Sequence, residues 1–247
     1  MKNMNLKASI RYQARYQLNS YAVFYGIVAV VYIVLSILFV MMTRRFGVTP
    51  GTMNMDSATV IFALCTGLAV FKENFTMLQQ NGVSRRTMFW GRVAITVVAS
   101  IGMALADALL HAIFKLVLNN TGLNTDTLFD MGYGAGLPAS LAFYAAAYAL
   151  AAGLGYFIAI VFYRLPKLWK VLVGAGVPIL LFVVLPLVDV FLLRGKISDA
   201  LEWTLKHILG VTGGAPNPIA PIVSFACLAV AMFALAWATL RKAAVVN

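Results

Sequence analysis

Polar and charged residues are confined to short intervals of this chain, and between them lie six apolar runs, at 21–42, 57–74, 89–118, 135–163, 168–193 and 219–240. A hydrocarbon core about 30 Å thick takes roughly 20 apolar residues of helix, so runs of this length read as membrane spans rather than as buried helices of a soluble core. The second run is the shortest and most polar. Thr59, Thr66 and Gly67 lower its hydropathy, and its helix is expected to run on through Phe71 toward Phe75. The pattern predicts an all-α integral membrane protein, with six transmembrane helices in residues 21–247 and a separate N-terminal element in residues 1–20.

Within that N-terminal stretch Leu6, Ile10, Ala14 and Leu18 recur at helical spacing, beside a second stripe formed by Lys7, Arg11 and Arg15. Such a segment is expected to lie in the membrane interface, its apolar stripe in the headgroup boundary and its cations on anionic lipid. Tyr12, Tyr16 and Tyr21 would sit at the polar edge. A disordered basic tail is the alternative. A cleaved signal peptide fits poorly, because about 20 polar and amphipathic residues precede the first run, which is longer than a typical signal core.

Composition agrees with lipid as the solvent. Hydrophobic residues make up 62% of the chain and charged residues 11%, more apolar matter than one water-soluble core of this size would hide. The net charge of +11 raises the question of nucleic acid, but its distribution follows the spans. Lys2, Lys7, Arg11, Arg15, Lys72, Arg85, Arg86, Arg92, Arg164, Lys167, Lys170, Arg241 and Lys242 share one side, thirteen of the nineteen cations. Under the positive-inside rule that side is cytoplasmic, with both termini inside a cell membrane crossed many times and no nucleic-acid partner. The acids lean the other way, and Glu73 is the only one on the basic side. Cys65 and Cys227 lie within spans without metal-ligand neighbours, which points to packing.

The segment 72–92 is the most informative polar interval. Phe75, Leu78 and Gln79 share a helical face, Gly82 is placed to end that helix, and Ser84 to cap the next, leaving Arg85 and Arg86 at the membrane surface. A short helix, a glycine turn and a fresh helix joined to two spans make a lever that can transmit a push. The stretch from Glu73 through Asn81-Gly82-Val83-Ser84-Arg85-Arg86 to Arg92 resembles the loop between the second and third spans of type-2 ABC exporter permeases. The six spans, inside termini and interfacial N-terminal helix fit the same family over nearly the whole chain.

That resemblance implies a permease subunit whose cytoplasmic coupling helix docks on a separate ABC ATPase, through Glu73, Phe75, Met77, Leu78, Gln80, Asn81, Gly82, Val83, Ser84, Arg85 and Arg86. It also implies a second copy or a related permease, and an outer re-entrant element before the last span. ATP and Mg would reside on the partner. This chain carries no Gly-x-x-x-x-Gly-Lys-Ser/Thr loop of its own, and no cofactor or metal is expected on it.

Other positions leave alternatives open. Asp107, His111 and Lys115 are four residues apart and stack on one face of the third span; they read either as side chains snorkelling to the outer interface or as part of an outer gate. Asp107 and Asp189 are expected to be the only buried acids. Ala147, Ala151, Gly155 and Ala159 form a small-residue stripe on the fourth span, suited to close packing against another span or another copy. Tyr144, Tyr148 and Tyr156 on that span line a cavity or simply fill space.

The outer connections are rich in turn residues. Gly47, Pro50 and Gly51 follow the first span, and the loop from Thr121 to Pro138 holds Gly132, Gly134 and Gly136 without a nucleotide-binding pattern. Gly174, Gly176, Pro178 and Pro186 predict bending of the fifth span. The segment 197–209 is amphipathic, pairs Glu202 with Lys206, and is followed by Gly213, Gly214, Pro216 and Pro218.

Three other functional classes stand beside this one. An ion-gradient-driven secondary transporter or channel would need ionisable groups near the midplane. An intramembrane enzyme would need a metal or triad pattern that the two histidines do not make. A non-transporting sensory or immunity subunit is compatible with all of these features.

Overall fold

The computed structural model describes residues 2–47, 55–118, 126–134, 136–212 and 215–241, the side chains of 2–6, 8, 16, 192 and 193 excepted. Pro50, Gly51, Thr121, Ala135, Gly213, Gly214 and Lys242 therefore lie outside the described residues. All regular structure among the described residues is helical. The elements are α1 (Lys2–Phe46), α2 (Asp56–Gln80), α3 (Arg85–Leu118), α4 (Leu128–Tyr133), α5 (Leu137–Arg164), α6 (Lys167–Ile179), α7 (Leu185–Val188), α8 (Lys196–Ile208) and α9 (Ile219–Leu240). Six helical stretches are long and apolar enough to cross a membrane, which makes the chain a multi-pass membrane protein.

Residues 2–20 do not form an element of their own. They continue into the first span as a single 45-residue helix, about 67 Å long at 1.5 Å per residue and much longer than a hydrocarbon core is thick. No proline lies in this stretch and its one glycine, Gly26, meets no neighbour, so nothing in it breaks the helix. The face that α1 turns inward is a polar one. Ser9, Gln13 and Gln17, four residues apart, are buried, whereas Leu18 is exposed. Lys7, Arg11 and Arg15 are exposed as well.

Four helices make the body of the bundle. α5 lies at its centre, packed on α2, α3 and α9, and α1 lies along α3. α2 and α5 approach closely because Gly67 and Gly155 face each other across the interface. A Cβ on Gly67 would collide with the Ala152 carbonyl oxygen, and one on Gly155 with that of Leu64. Ala151 is buried on the same α5 face, so the small-residue stripe serves contact within the chain.

Two apolar clusters fill the bundle on either side of this crossing. At one end Phe71, Phe75 and Leu78 of α2 pack with Met88 and Phe89 of α3, Tyr156 and Ile160 of α5, and Phe233, Ala236 and Leu240 of α9. At the other end Ala63, Met103, Ala104, Tyr144, Tyr148 and Ala151 enclose Phe129, which reaches in from α4. The connection 121–138 thus holds a short helix that plugs the bundle. Thr127 caps it by accepting from the Asp130 amide at 3.1 Å, and Gly134 ends it with a left-handed φ of 57°.

The fifth span is built differently. α6 passes into a π-helical turn at Leu180–Val184, then α7, then a second π-helical turn at Asp189–Leu193. Pro178 lies inside α6 and Pro186 at the start of α7. Each removes an amide donor and crowds the carbonyl four residues earlier, and a widened turn relieves that crowding. None of the residues of α6, the first π turn or α7 is buried.

Asp189 closes this span. Its carboxylate accepts from the Ile197 amide at 2.8 Å and from both the amide and the hydroxyl of Ser198, tying the span to the start of α8. α8 is exposed along its length, with Lys206 and Glu202 paired as their spacing predicts.

Candidate functional site

The connection between α2 and α3 is built by its own chain. Val83 N–H reaches back to the Leu78 carbonyl at 2.9 Å and Gly82 N–H to that of Gln79 at 3.0 Å, a Schellman ending that requires the left-handed φ of 70° at Gly82. Val83 packs against the cluster that contains Leu78, supplying the apolar contact that completes such an ending. Ser84 then caps α3, its hydroxyl accepting from the Thr87 amide at 3.2 Å. The reversal takes few residues, and each has a defined part in it.

The short helix expected here is the last turns of α2 itself, so it moves only as α2 moves. Its residues divide by exposure. Phe75 and Leu78 point into the bundle and are buried, which leaves them no surface for a partner. Glu73, Met77, Gln80, Asn81, Gly82, Ser84 and Arg86 form the exposed surface. Arg85 is partly covered and donates to the Arg241 carbonyl at 3.0 Å, and Arg164 donates to that of Thr239 at 3.3 Å. These bonds gather the turn and the ends of α5 and α9 at one end of the bundle. Beside them lies an open groove of about 950 Å³ lined by Phe71, Lys72, Thr76, Tyr163 and Lys170 among others.

Arg92 does not belong to that surface, although its charge counts with the basic side. It is 3% exposed, seven residues into α3 and about 10 Å along the axis from Arg85. Its Nη2 donates to the Thr66 carbonyl at 3.3 Å, and its guanidinium lies 5.6 Å from the centre of the Tyr156 ring. Nε and Nη1 have no protein acceptor.

Arg92 begins a polar stripe on α3 that continues through Thr96 and Ser100, all buried. Near its start α1 brings in the buried Ser9 and Gln13. Gly91 makes room for this, with a Cβ there 3.3 Å from both Gln13 Nε2 and Ser9 Oγ. Gln13 donates to Ser9 at 3.1 Å, while the side chains of Gln17, Thr96 and Ser100 have no protein partner. Tyr25, two further turns along α1, donates to the Met103 carbonyl at 3.1 Å.

Asp107 lies toward the other end of α3 and is neither bare nor snorkelling. It accepts from the Tyr148 hydroxyl at 2.5 Å and from Thr59 Oγ1 at 3.3 Å. Asp56, unforeseen from the sequence, is buried where Asp107 is half-buried, and accepts from the Tyr144 hydroxyl at 2.5 Å and the Leu128 amide at 2.8 Å. Tyr144 and Tyr148 thus each have a hydroxyl role. Asp56, Asp107 and His111 line a small cavity of about 20 Å³, whereas Lys115 turns away and pairs with Asp126 at 3.7 Å. The predicted stripe shares a face but not a task.

No group of three or more potential metal ligands occurs among the described residues. His207 is occupied locally, its Nδ1 2.8 Å from the Trp203 carbonyl and its ring tilted against that of Trp203 with ring centres 3.9 Å apart. Comparison with known protein families, with curated proteins and with solved structures gives no match.

Proposed function

We propose that the chain is the membrane-spanning permease subunit of an ATP-driven exporter of the type-2 ABC kind, coupled to a separate ATPase through the connection between α2 and α3. The observation that carries this reading is the construction of that connection. An exposed strip of Glu73, Met77, Gln80, Asn81, Ser84 and Arg86 is backed directly by Phe75, Leu78 and Val83, which belong to the cluster shared by α2, α3, α5 and α9. A force applied at the tip passes into four spans without a flexible joint.

In this reading the tip and both termini are cytoplasmic, and ATP and Mg bind the partner. A second copy or a related permease completes the pathway, and this chain carries out no chemistry of its own. The groove beside Lys72 and Lys170 lies next to the docking strip, where a movement of α2 against α5 would change its width.

The test is cross-linking in native vesicles from single cysteines placed at Met77 and Gln80, after replacement of Cys65 and Cys227. Products carrying an ATPase subunit, lost in Gly82→Pro combined with Arg86→Glu while membrane insertion persists, are expected. Labelling of these positions from outside the cell, or the absence of an ATPase in the products, rejects the reading.

One observation favours a secondary transporter instead, namely the buried Arg92 and the hydrogen-bonded Asp107 on one helix. Transport by the pure chain in liposomes under an ion gradient, with no ATPase present, would establish that alternative.

A further inference from the structure

We propose that Arg92 and Asn74 hold a small monovalent anion of halide size inside the bundle, chloride being the common member of the class. The proposal does not depend on coupling to an ATPase. Both side chains line one small cavity between α1, α2, α3 and α5, together with Gln13, Phe75, Met88 and Tyr156. Its volume of about 10 Å³ is that of one water-sized sphere, so a halide enters with a small outward shift of the lining side chains, and a phosphate or a carboxylate group is far too large.

The charge balance asks for an anion there. Arg92 and Asn74 are 3% and 4% exposed, and neither of the two ion pairs among the described residues involves Arg92. A guanidinium keeps its proton under all ordinary conditions, and an uncompensated buried cation is strongly unfavourable. The Tyr156 ring and the Thr66 carbonyl offer partial negative charge only. Water would satisfy hydrogen bonds but leave the charge.

The donors are already in place. Arg92 retains Nε–H and Nη1–H, and Asn74 has both side-chain polar atoms without a protein partner. Two guanidinium donors and one amide donor around a space of this size make a halide cradle, with the apolar faces of Phe75 and Met88 excluding larger hydrated species. The cradle lies under the α2–α3 turn, so its occupancy bears on how tightly α2 and α3 are joined.

The full chain in lipid nanodiscs supplies the test. Chloride is exchanged for gluconate at constant ionic strength while the thermal midpoint is followed, and chloride binding is read independently from the excess ³⁵Cl linewidth over protein-free nanodiscs. A saturable rise of the midpoint with chloride is expected, with an excess linewidth that bromide removes. Asn74→Asp supplies an internal carboxylate, so it is expected to melt as high in gluconate as in chloride and to lose the excess linewidth. Arg92→Gln is expected to lose the chloride response as well. Equal midpoints and no excess linewidth in the unmodified chain would overturn the proposal. So would a response surviving unchanged in Asn74→Asp, which would place the anion elsewhere on this cationic protein.

Discussion

Gly67 on α2 and Gly155 on α5 mark a close approach of two helices in the bundle, each backbone occupying the space where the other's side chain would be. The two apolar clusters lie on either side of that crossing, so the fit there sets the spacing of both.

Replacing Gly155 by Leu is expected to destabilise the folded chain by about 1–3 kcal/mol, the usual cost of overpacking a close contact. Gly67→Leu should behave alike, and Gly26→Leu, where no neighbour intrudes, should be tolerated. Thermal midpoints in nanodiscs decide this. Equal midpoints for Gly155→Leu and Gly26→Leu would refute the close approach.

The bond from Tyr148 to Asp107 joins α5 to α3 within partly buried surroundings. Tyr148→Phe is expected to cost about 1–3 kcal/mol by removing a donor from a carboxylate. A double-mutant cycle with Asp107→Asn should show a coupling of about 0.5–3 kcal/mol, as for residues in one network. Additive losses would mean the two side chains act separately.

Ser84→Ala removes the cap of α3 and is expected to cost about 1 kcal/mol. Gly82→Val forces a branched side chain into the left-handed region and should cost more. Amide exchange in residues 81–90 is the direct readout, and faster exchange there with the rest of α3 unchanged is the expected result.

On α8 the Lys206 ammonium donates to Glu202 and adds its charge, holding that carboxyl below the ordinary glutamate range. A depressed folded pKa contributes stability that is present above the unfolded value, about 4.3, and lost as pH falls through the folded value. Acidification through that window is expected to speed amide exchange in the turn from 202 to 206. Glu202→Gln should remove that dependence and leave the six spans unchanged. Because both side chains are exposed, the effect stays local.

The spans were legible because lipid imposes length and hydropathy directly, and the turn was legible because Gly82 and Ser84 have narrow conformational uses. The inward face of α1 was not. Its aliphatic spacing suggested a face for lipid, yet the equally regular Ser9, Gln13 and Gln17 are what α1 buries. In a bilayer an uncharged polar stripe gains from turning toward protein, where donors and acceptors can be met, and an apolar stripe loses nothing by facing tails. Arg92 was misplaced because counting charges along a chain ignores helix rotation. Asp56 escaped notice because its partners, Leu128 and Tyr144, come from elements far along the chain.

The fifth span stands apart from this interlocked body. It is tethered by Leu165 and Pro166 at one end and by the Asp189 bonds to α8 at the other, and Gly174 beside Phe162 is a narrow lateral touch. Swinging it would uncover almost no protein core, so its resting angle is governed by whatever lies outside the chain. Mechanically the molecule is a stiff frame with one outrigger, and the outrigger is the limb by which its surroundings can most readily be felt.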